Sequence, residues 1–264
     1  MTPIKDQIAE IKTNGYQLDF GTVFEHAFEN YKKIALYAGL LFFVFTILLY
    51  ILITAGFISY IGIKNMEEFL NNLKSFQTQK TIPTNILLPL KAGLILFSSL
   101  LSPFIAGFYN MADCGEKGNE FHVSTMFNYY KAPYFWNIFS ATLLISLLST
   151  GLSILLELSG FEITGLLISL TISFLTFLTI PLIIFGDLNA IDAIKSSIII
   201  ISKQPIILLG LVIVAIIAAL IGLFGLCIGI FFTYPFMFSM TYAIYSSIIG
   251  INSEVELEQV DFEI

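Results

Sequence analysis

Arginine is absent from all 264 residues, so the chain's 12 basic side chains are lysines alone. That removes the rigid guanidinium fork which binds phosphates and carboxylates through two parallel hydrogen bonds. With a net charge of −7 and no basic run, a nucleic-acid partner is excluded as well. Cys114 and Cys227 are the only cysteines, and their spacing is neither a metal-type CxxC nor a disulfide framework. His26 and His122 are the only histidines, too few for a metal site without further ligands at matching spacing. No GxSxG, HExxH, P-loop or strand-borne GxGxxG occurs, and no metal, cofactor or catalytic residue is expected. Charge itself is scarce: 12% of residues carry it, about half the share of a soluble domain.

What the chain has is apolar length. Hydrophobic residues make up 57% of it, and the mean hydropathy is +0.89. Several runs reach the roughly 20 residues that cross a bilayer core. They lack the period-two alternation of a barrel strand. The sequence therefore predicts an all-α fold, a polytopic membrane helical bundle of about six transmembrane helices with three interfacial amphipathic helices. The expected spans are 34–63, about 86–108, 135–156, 164–185, and two within 205–249 divided at "GLFGLCIG". The first is too long for the bilayer and must tilt or project. Pro89 and Pro103 are the expected kinks of the second span, and Pro181 lies near the end of the fourth. The first greasy run starts too late and is too long for a cleaved signal, so the first span is expected to direct insertion.

A threefold pattern runs through these spans. "FGTVFEHAFENYKK", "FHVSTMFNYYKAP" and "LNAIDAIKSSIIIISKQP" each precede a pair of spans, and each is amphipathic and lysine-bearing near its end. They divide a single membrane domain, 1–250, into degenerate units 20–109, 121–185 and 187–250, followed by an acidic tail, 251–264. Ahead of the first, Ile4, Ile8 and Ile11 mark a short helix ended by Asn14-Gly15. Thr22 and Glu25 fit a capping box, with Phe20, Val23, Phe24, Ala27, Phe28 and Tyr31 on the apolar side. Between the first two spans, Met66, Phe69, Leu70 and Leu73 form a weak stripe. In the third unit Leu188, Ile191, Ile194, Ile198 and Ile201 share one face. Asp192, Lys195, Ser196, Ser202 and Lys203 share the other. Asp187 lies at or near that helix's start and is a capping candidate. Five residues apart, Asp187 and Asp192 diverge by about 140°, which is unsuited to a carboxylate pair.

Six spans put Lys5, Lys12, Lys32, Lys33, Lys117, Lys131, Lys195 and Lys203 on one side. Lys64, Lys74, Lys80 and Lys91 fall on the other. The imbalance predicts a bacterial inner membrane protein with both termini cytoplasmic. Lys91 is the most unusual residue, because an ionisable group inside a span is a functional candidate by default. It lies near the span's start, where its stem can snorkel to the headgroups. Topology offers Glu157, at the same end of span three, as its partner. Ser146, Ser149, Thr150 and Ser153 form one hydroxyl stripe; Ser169, Ser173 and Thr176 form another. Small hydroxylated residues serve close helix packing, and the same stripes can line a polar path or ligand groove. Gly222, Gly225 and Gly229 suit close contact between the last two spans.

Over residues 20–250 the chain resembles the membrane domain attached to some bacterial glycerophosphodiester phosphodiesterases, and its free-standing integral-membrane relatives. The likeness is carried by "FEHAFENYKK", by Pro181 and Asp187 spaced as P-x5-D, by "DAIKSS" at 192–197, and by "YPF" and "TYAIY" between 234 and 245. It implies a six-helix membrane protein and supplies no catalytic residues, since the phosphodiesterase domain has no counterpart here. A carotenoid-cleaving oxygenase role, attached to some small relatives, would need four iron-binding histidines. The chain has two.

The expected function is that of a non-enzymatic membrane protein that binds lipids or an envelope protein partner in maintaining or organising the envelope. A transporter for a small amphipathic or lipid-like solute is the alternative, and an intramembrane enzyme the third. A transporter calls for a cavity with convergent polar groups, a scaffold for a packed centre.

Overall fold

The computed structural model describes residues 4–61, 84–225 and 228–250. The 66–73 stripe, Lys64, Lys74 and Lys80, Cys227 and the acidic tail lie outside the described residues. Those described are helical, with no strand among them. The helices are α1 (Ile4–Asn14), α2 (Phe20–Ile61), α3 (Thr84–Lys117), α4 (Tyr134–Leu158), α5 (Glu162–Thr176), α6 (Thr179–Ile184), α7 (Ala190–Lys203), α8 (Pro205–Ile221), α9 (Gly229–Thr233) and α10 (Pro235–Ile249). Five helical segments, starting at Phe20, Leu87, Tyr134, Ile163 and Pro205, are long and apolar enough to cross a membrane. A sixth return is built from α9 and α10 placed end to end, broken where Pro235 cannot donate to the preceding turn.

The three segments that lead into the hairpins take three different forms. The first is not separate from its span: α2 runs unbroken for 42 residues. Its cap is Asp19 rather than Thr22. The Asp19 carboxylate accepts from the Thr22 backbone N–H at 2.8 Å and from its hydroxyl at 2.9 Å. Those two donors hold the Asp19 carboxyl below the usual carboxylate range. The second is a 3-10 helix, Val123–Tyr130. The third, α7, is a regular α-helix capped by Asn189, whose side chain accepts from the Asp192 backbone N–H.

Helix α3 passes Pro89 and Pro103 without ending and continues to Lys117, nine residues past the expected end of the second span at about 108. Span four breaks between α5 and α6, two residues before Pro181.

Two groups of helices share α3. On one side α10 packs along α2 and α8; on the other α4 packs between α3 and α5. The buried stripe of α2 is Val23, Ala27, Asn30, Ile34 and Ala38, at three- and four-residue steps. Phe20 and Phe28, expected on that face, are exposed. The second half of α2 presents Ile47, Leu48, Ile51 and Leu52 outward, as a lipid-facing surface does. Helix α1 lies across α7, with Ile8 and Ile11 buried, and the Tyr16 hydroxyl donates to the Ile200 carbonyl at 3.0 Å. The starts of α2, α4 and α8 gather with α1 and α7 at the lysine-rich end. The far end carries the turn between α4 and α5 and the turn after α8.

Candidate functional site

The far end holds the candidate site. Lys91 stands two turns into α3, and Glu157 ends α4. The Lys91 Nζ donates to Glu157 Oε2 at 3.0 Å. Ser153, one turn earlier on α4, donates to the other carboxylate oxygen at 3.1 Å and so fixes the acid's direction. The α4–α5 turn keeps Glu157 at this level. Gly160, at φ +84°, adopts the left-handed conformation that closes a helix end. The Phe161 N–H bonds to the Leu156 carbonyl at 2.8 Å, and the Gly160 N–H bonds to the Glu157 carbonyl at 3.0 Å.

Below the pair lies a cleft of about 610 Å³. Helix α4 is its floor, with Ser146, Ser149, Thr150 and Ser153; α3 and α5 are its walls, with Ser98, Ser169 and Ser173. The first expected hydroxyl stripe therefore faces the same space as Ser169 and Ser173 of the second, whereas Thr176 lines a separate hollow with Ile194 and Ile198. The two stripes also pack: the Ser149 and Ser169 hydroxyls are 2.8 Å apart, and Gly165 lies so close to Ser153 that a Cβ there would sit 3.0 Å from its carbonyl oxygen. Ser146, Thr150 and Ser173 make no hydrogen bond within the protein among the described residues. Leu94 and Phe97, on the rim, are exposed, so the cleft opens sideways. A second hollow, about 420 Å³ and apolar, lies across the α3–α4 contact. It shares Lys91, Ile95 and Thr150 with the first.

Depth follows from helix rise. Trp136 is exposed at the start of α4, and exposed tryptophan favours a membrane interface. Glu157 lies roughly 32 Å further along the same helix at 1.5 Å per residue, about one hydrocarbon core away. The Lys91–Glu157 pair thus stands at the opposite end of α4, and the hydroxyls line that helix below it.

The other expected polar residues are elsewhere. Tyr134, at the start of α4, donates to Asp187 at 3.0 Å, which places Asp187 roughly 35 Å from Glu157 by helix rise. Asp187 sits at φ +48°, two residues before the cap, and does not cap α7 itself. Asp192 accepts from Lys5 at 3.0 Å and from the Asn189 side chain at 3.0 Å. The Lys5 ammonium holds the Asp192 carboxyl below its usual range, with exposed Lys195 adding attraction. This group fastens α1 to α7 and is not part of the cleft.

The face of α7 also differs from its apolar pattern. Ala190, Ala193, Ser196, Ser197, Ile200 and Ile201 are buried, whereas Ile191 and Ile198 are exposed. Small residues win the inner face because α5 and α6 approach closely there. The Ser197 hydroxyl donates to the Leu175 carbonyl at 2.9 Å, beside the break between those helices.

A second polar cluster lies at the lysine-rich end, between α2, α3 and α10. The Asn30 amide donates to the Ala112 carbonyl at 2.7 Å and to Glu116 at 3.2 Å, and its oxygen accepts from Ser239 at 2.9 Å. Tyr242 donates to Asp113 at 3.0 Å, and Lys117 pairs with the other oxygen of Asp113 at 3.0 Å. The His26 Nε2 is 3.2 Å from Glu116 but off the line a hydrogen bond requires. Nearly every group has a partner within the cluster, which is how a buried polar network fixes one helix arrangement. The signal was present in the sequence: Asn30 falls on the three-four stripe of α2, and Asp113 and Glu116 are one turn apart. No cluster of metal-ligand type occurs among the described residues.

Comparison with family models, with curated proteins and with solved structures finds no match.

Proposed function

We propose that this is a non-enzymatic integral membrane protein that binds a lipid in the cleft between α3, α4 and α5. One observation carries the reading: a hydroxyl-lined cleft opens sideways from an ion pair about one hydrocarbon-core length along α4 from Trp136, which would set it at headgroup depth, and adjoins an apolar hollow. A ligand filling it would be amphipathic, with its polar end at Lys91 and its chains along Leu94, Leu101, Ile145 and the neighbouring hollow. The volume is that of a small-molecule site. Resemblance to the membrane domain of glycerophosphodiester phosphodiesterases supports a membrane role without catalytic residues of its own. The lysine distribution supports a bacterial inner membrane location with the lysine-rich end and both termini in the cytoplasm. The cleft would then open toward the outer leaflet.

The test is lipid retention. Purified wild-type protein should carry lipid identified by mass spectrometry. Thr150→Phe, which fills the space shared by both hollows, should carry much less. Equal retention would refute the cleft as the binding site. A second reading, passage of a lipid-like solute, is favoured by the unpartnered hydroxyls of Ser146, Thr150 and Ser173, which suit a moving polar group. It requires flux of a labelled lipid across reconstituted vesicles, abolished by the same variant.

A further inference from the structure

The headgroup is narrowed by the ion pair at the mouth of the cleft. We infer that the cleft takes a zwitterionic glycerophospholipid with a primary ammonium, its phosphate on Lys91 and its amine on Glu157. This rests on the cleft being a lipid site.

Charge supplies the first argument. Lys91 and Glu157 are 3.0 Å apart and together neutral. An anionic headgroup drawn to Lys91 meets a carboxylate that Ser153 holds in place. A cationic one meets the ammonium. In the low dielectric of the membrane rim, such a mismatch costs more than in water. A zwitterion laid antiparallel to the pair gives every charge an opposite neighbour.

Hydrogen-bonding capacity supplies the second. An ammonium has three donors, and Lys91 spends one on Glu157. Two remain for phosphate oxygens. Each Glu157 oxygen accepts one protein bond and keeps a further lone pair for an amine. The pair can therefore hold the headgroup without breaking its own bond. A primary ammonium can donate there, and a quaternary one cannot. Quaternary ammonium is usually held by aromatic cages. Phe97 is the one aromatic side chain lining the cleft among the described residues, roughly 9 Å along α3 from Lys91.

Depth supplies the third. Below the pair, Thr150 and Ser146 offer hydroxyl donors without protein partners, and Ser173 offers another across the cleft. The glycerol ester carbonyls of a phospholipid hang below its phosphate and only accept. Donors on the protein and acceptors on the lipid meet in that order down the groove.

The experiment titrates the delipidated full-length protein in detergent with phosphatidylethanolamine, phosphatidylcholine and phosphatidylglycerol bearing identical chains. Native mass spectrometry reads the bound fraction. Phosphatidylethanolamine should bind about tenfold tighter than either other lipid, the effect of one retained charge-assisted contact. Glu157→Gln, close to isosteric, should erase that advantage and place phosphatidylglycerol first. Lys91→Met should weaken all three. If either single variant fails to fold, the double variant Lys91→Met with Glu157→Leu leaves no unpaired charge and should bind the three lipids alike. Water-soluble glycerophosphoethanolamine should bind at least about a hundredfold more weakly, because it lacks the apolar contacts. Equal binding of that solute would overturn the proposal. So would a wild-type preference for phosphatidylglycerol or phosphatidylcholine. Equal affinity for all three lipids, still lost in Thr150→Phe, would overturn the headgroup assignment and leave the lipid cleft standing. Binding indifferent to Thr150→Phe would remove both.

Discussion

Ser197 shows what a single hydroxyl does in this bundle. It is fully buried, and its bond to the Leu175 carbonyl serves an acceptor next to the α5–α6 break. A buried carbonyl without a partner costs about 1–3 kcal/mol. Ser197→Ala should lower stability by that amount, read as a melting shift of roughly 2–10 °C in detergent; an unchanged melting temperature would show that the carbonyl finds another donor. Asp192 is the opposite case, since its pair with Lys5 is exposed to water and worth little. Its carboxyl pKa is depressed, so the pair is intact above the usual carboxylate range and is lost as pH falls through the depressed value. Asp192→Asn should therefore leave the folded yield unchanged at neutral pH and only raise hydrogen exchange in α1. Collapse of the yield would make this contact part of the core. Neither role could be assigned from polarity alone. Ser196 and Asp192 read as a single wet face of an amphipathic helix, while the structure buries Ser196 as well as Ser197 and leaves Asp192 outward.

At the scale of elements, the sequence shows where helices exist more clearly than where they end or which way they face. Long apolar runs dictate a helix, because backbone groups in a membrane have no other partner. Apolar side chains in a membrane are stable both inside the bundle and against lipid. Isoleucine on α7 therefore did not by itself mark the inner face, since Ile191 and Ile198 are exposed while Ile200 and Ile201 are buried beside the small residues Ala193 and Ser197. Asn30 was hidden for the complementary reason: an amide near charged residues reads as surface, yet three partners from α3 and α10 make burial favourable. Lys91 and Glu157 were legible as a pair because adjacent spans bring them to one depth, where few other partners exist. A double-mutant cycle with Lys91→Met and Glu157→Leu should give a coupling of about 1 kcal/mol, the scale of polar contacts between membrane helices. Additive losses would mean that each charge is solvated separately. Glycine offers a sharper test of the last hairpin. A Cβ on Gly222 would lie 2.5 Å from the backbone of Gly229, whereas one on Gly93 would meet nothing within 4 Å. Gly222→Ala should sharply reduce folded yield, and Gly93→Ala, in a helix interior, should be neutral or gain up to about 1 kcal/mol. Equal behaviour of the two would mean that α8 and α9 are not in contact at this turn.

For the whole molecule, composition and run length were enough to specify an all-α bundle with helices long enough to cross a membrane. The cleft was not legible in that way. Two hydroxyl stripes on neighbouring spans are compatible with packing and with a groove, and only the way α3 and α5 diverge over α4 decides that they do both. The bundle is polarised. Lys5, Lys33 and Lys117 mark one end, where Asp192, Glu116 and Asp113 compensate them, and among the described residues the other end keeps one ion pair over an open cleft. A lipid reaching that cleft from the outer leaflet requires the lysine-rich end to face the cytoplasm. In a background carrying Cys114→Ser and Cys227→Ser, single cysteines placed at Lys117, Lys195 and Ser159 report this directly. A membrane-impermeant maleimide should label position 159, in the α4–α5 turn, in intact cells. It should label positions 117 and 195 only after the membrane is disrupted. The reverse pattern would put the cleft mouth in the inner leaflet and supply it with lipid from the cytoplasmic side. Labelling of all three positions in intact cells would mean that α4 does not cross the bilayer between Trp136 and Glu157, and the depth on which the headgroup assignment stands would be lost.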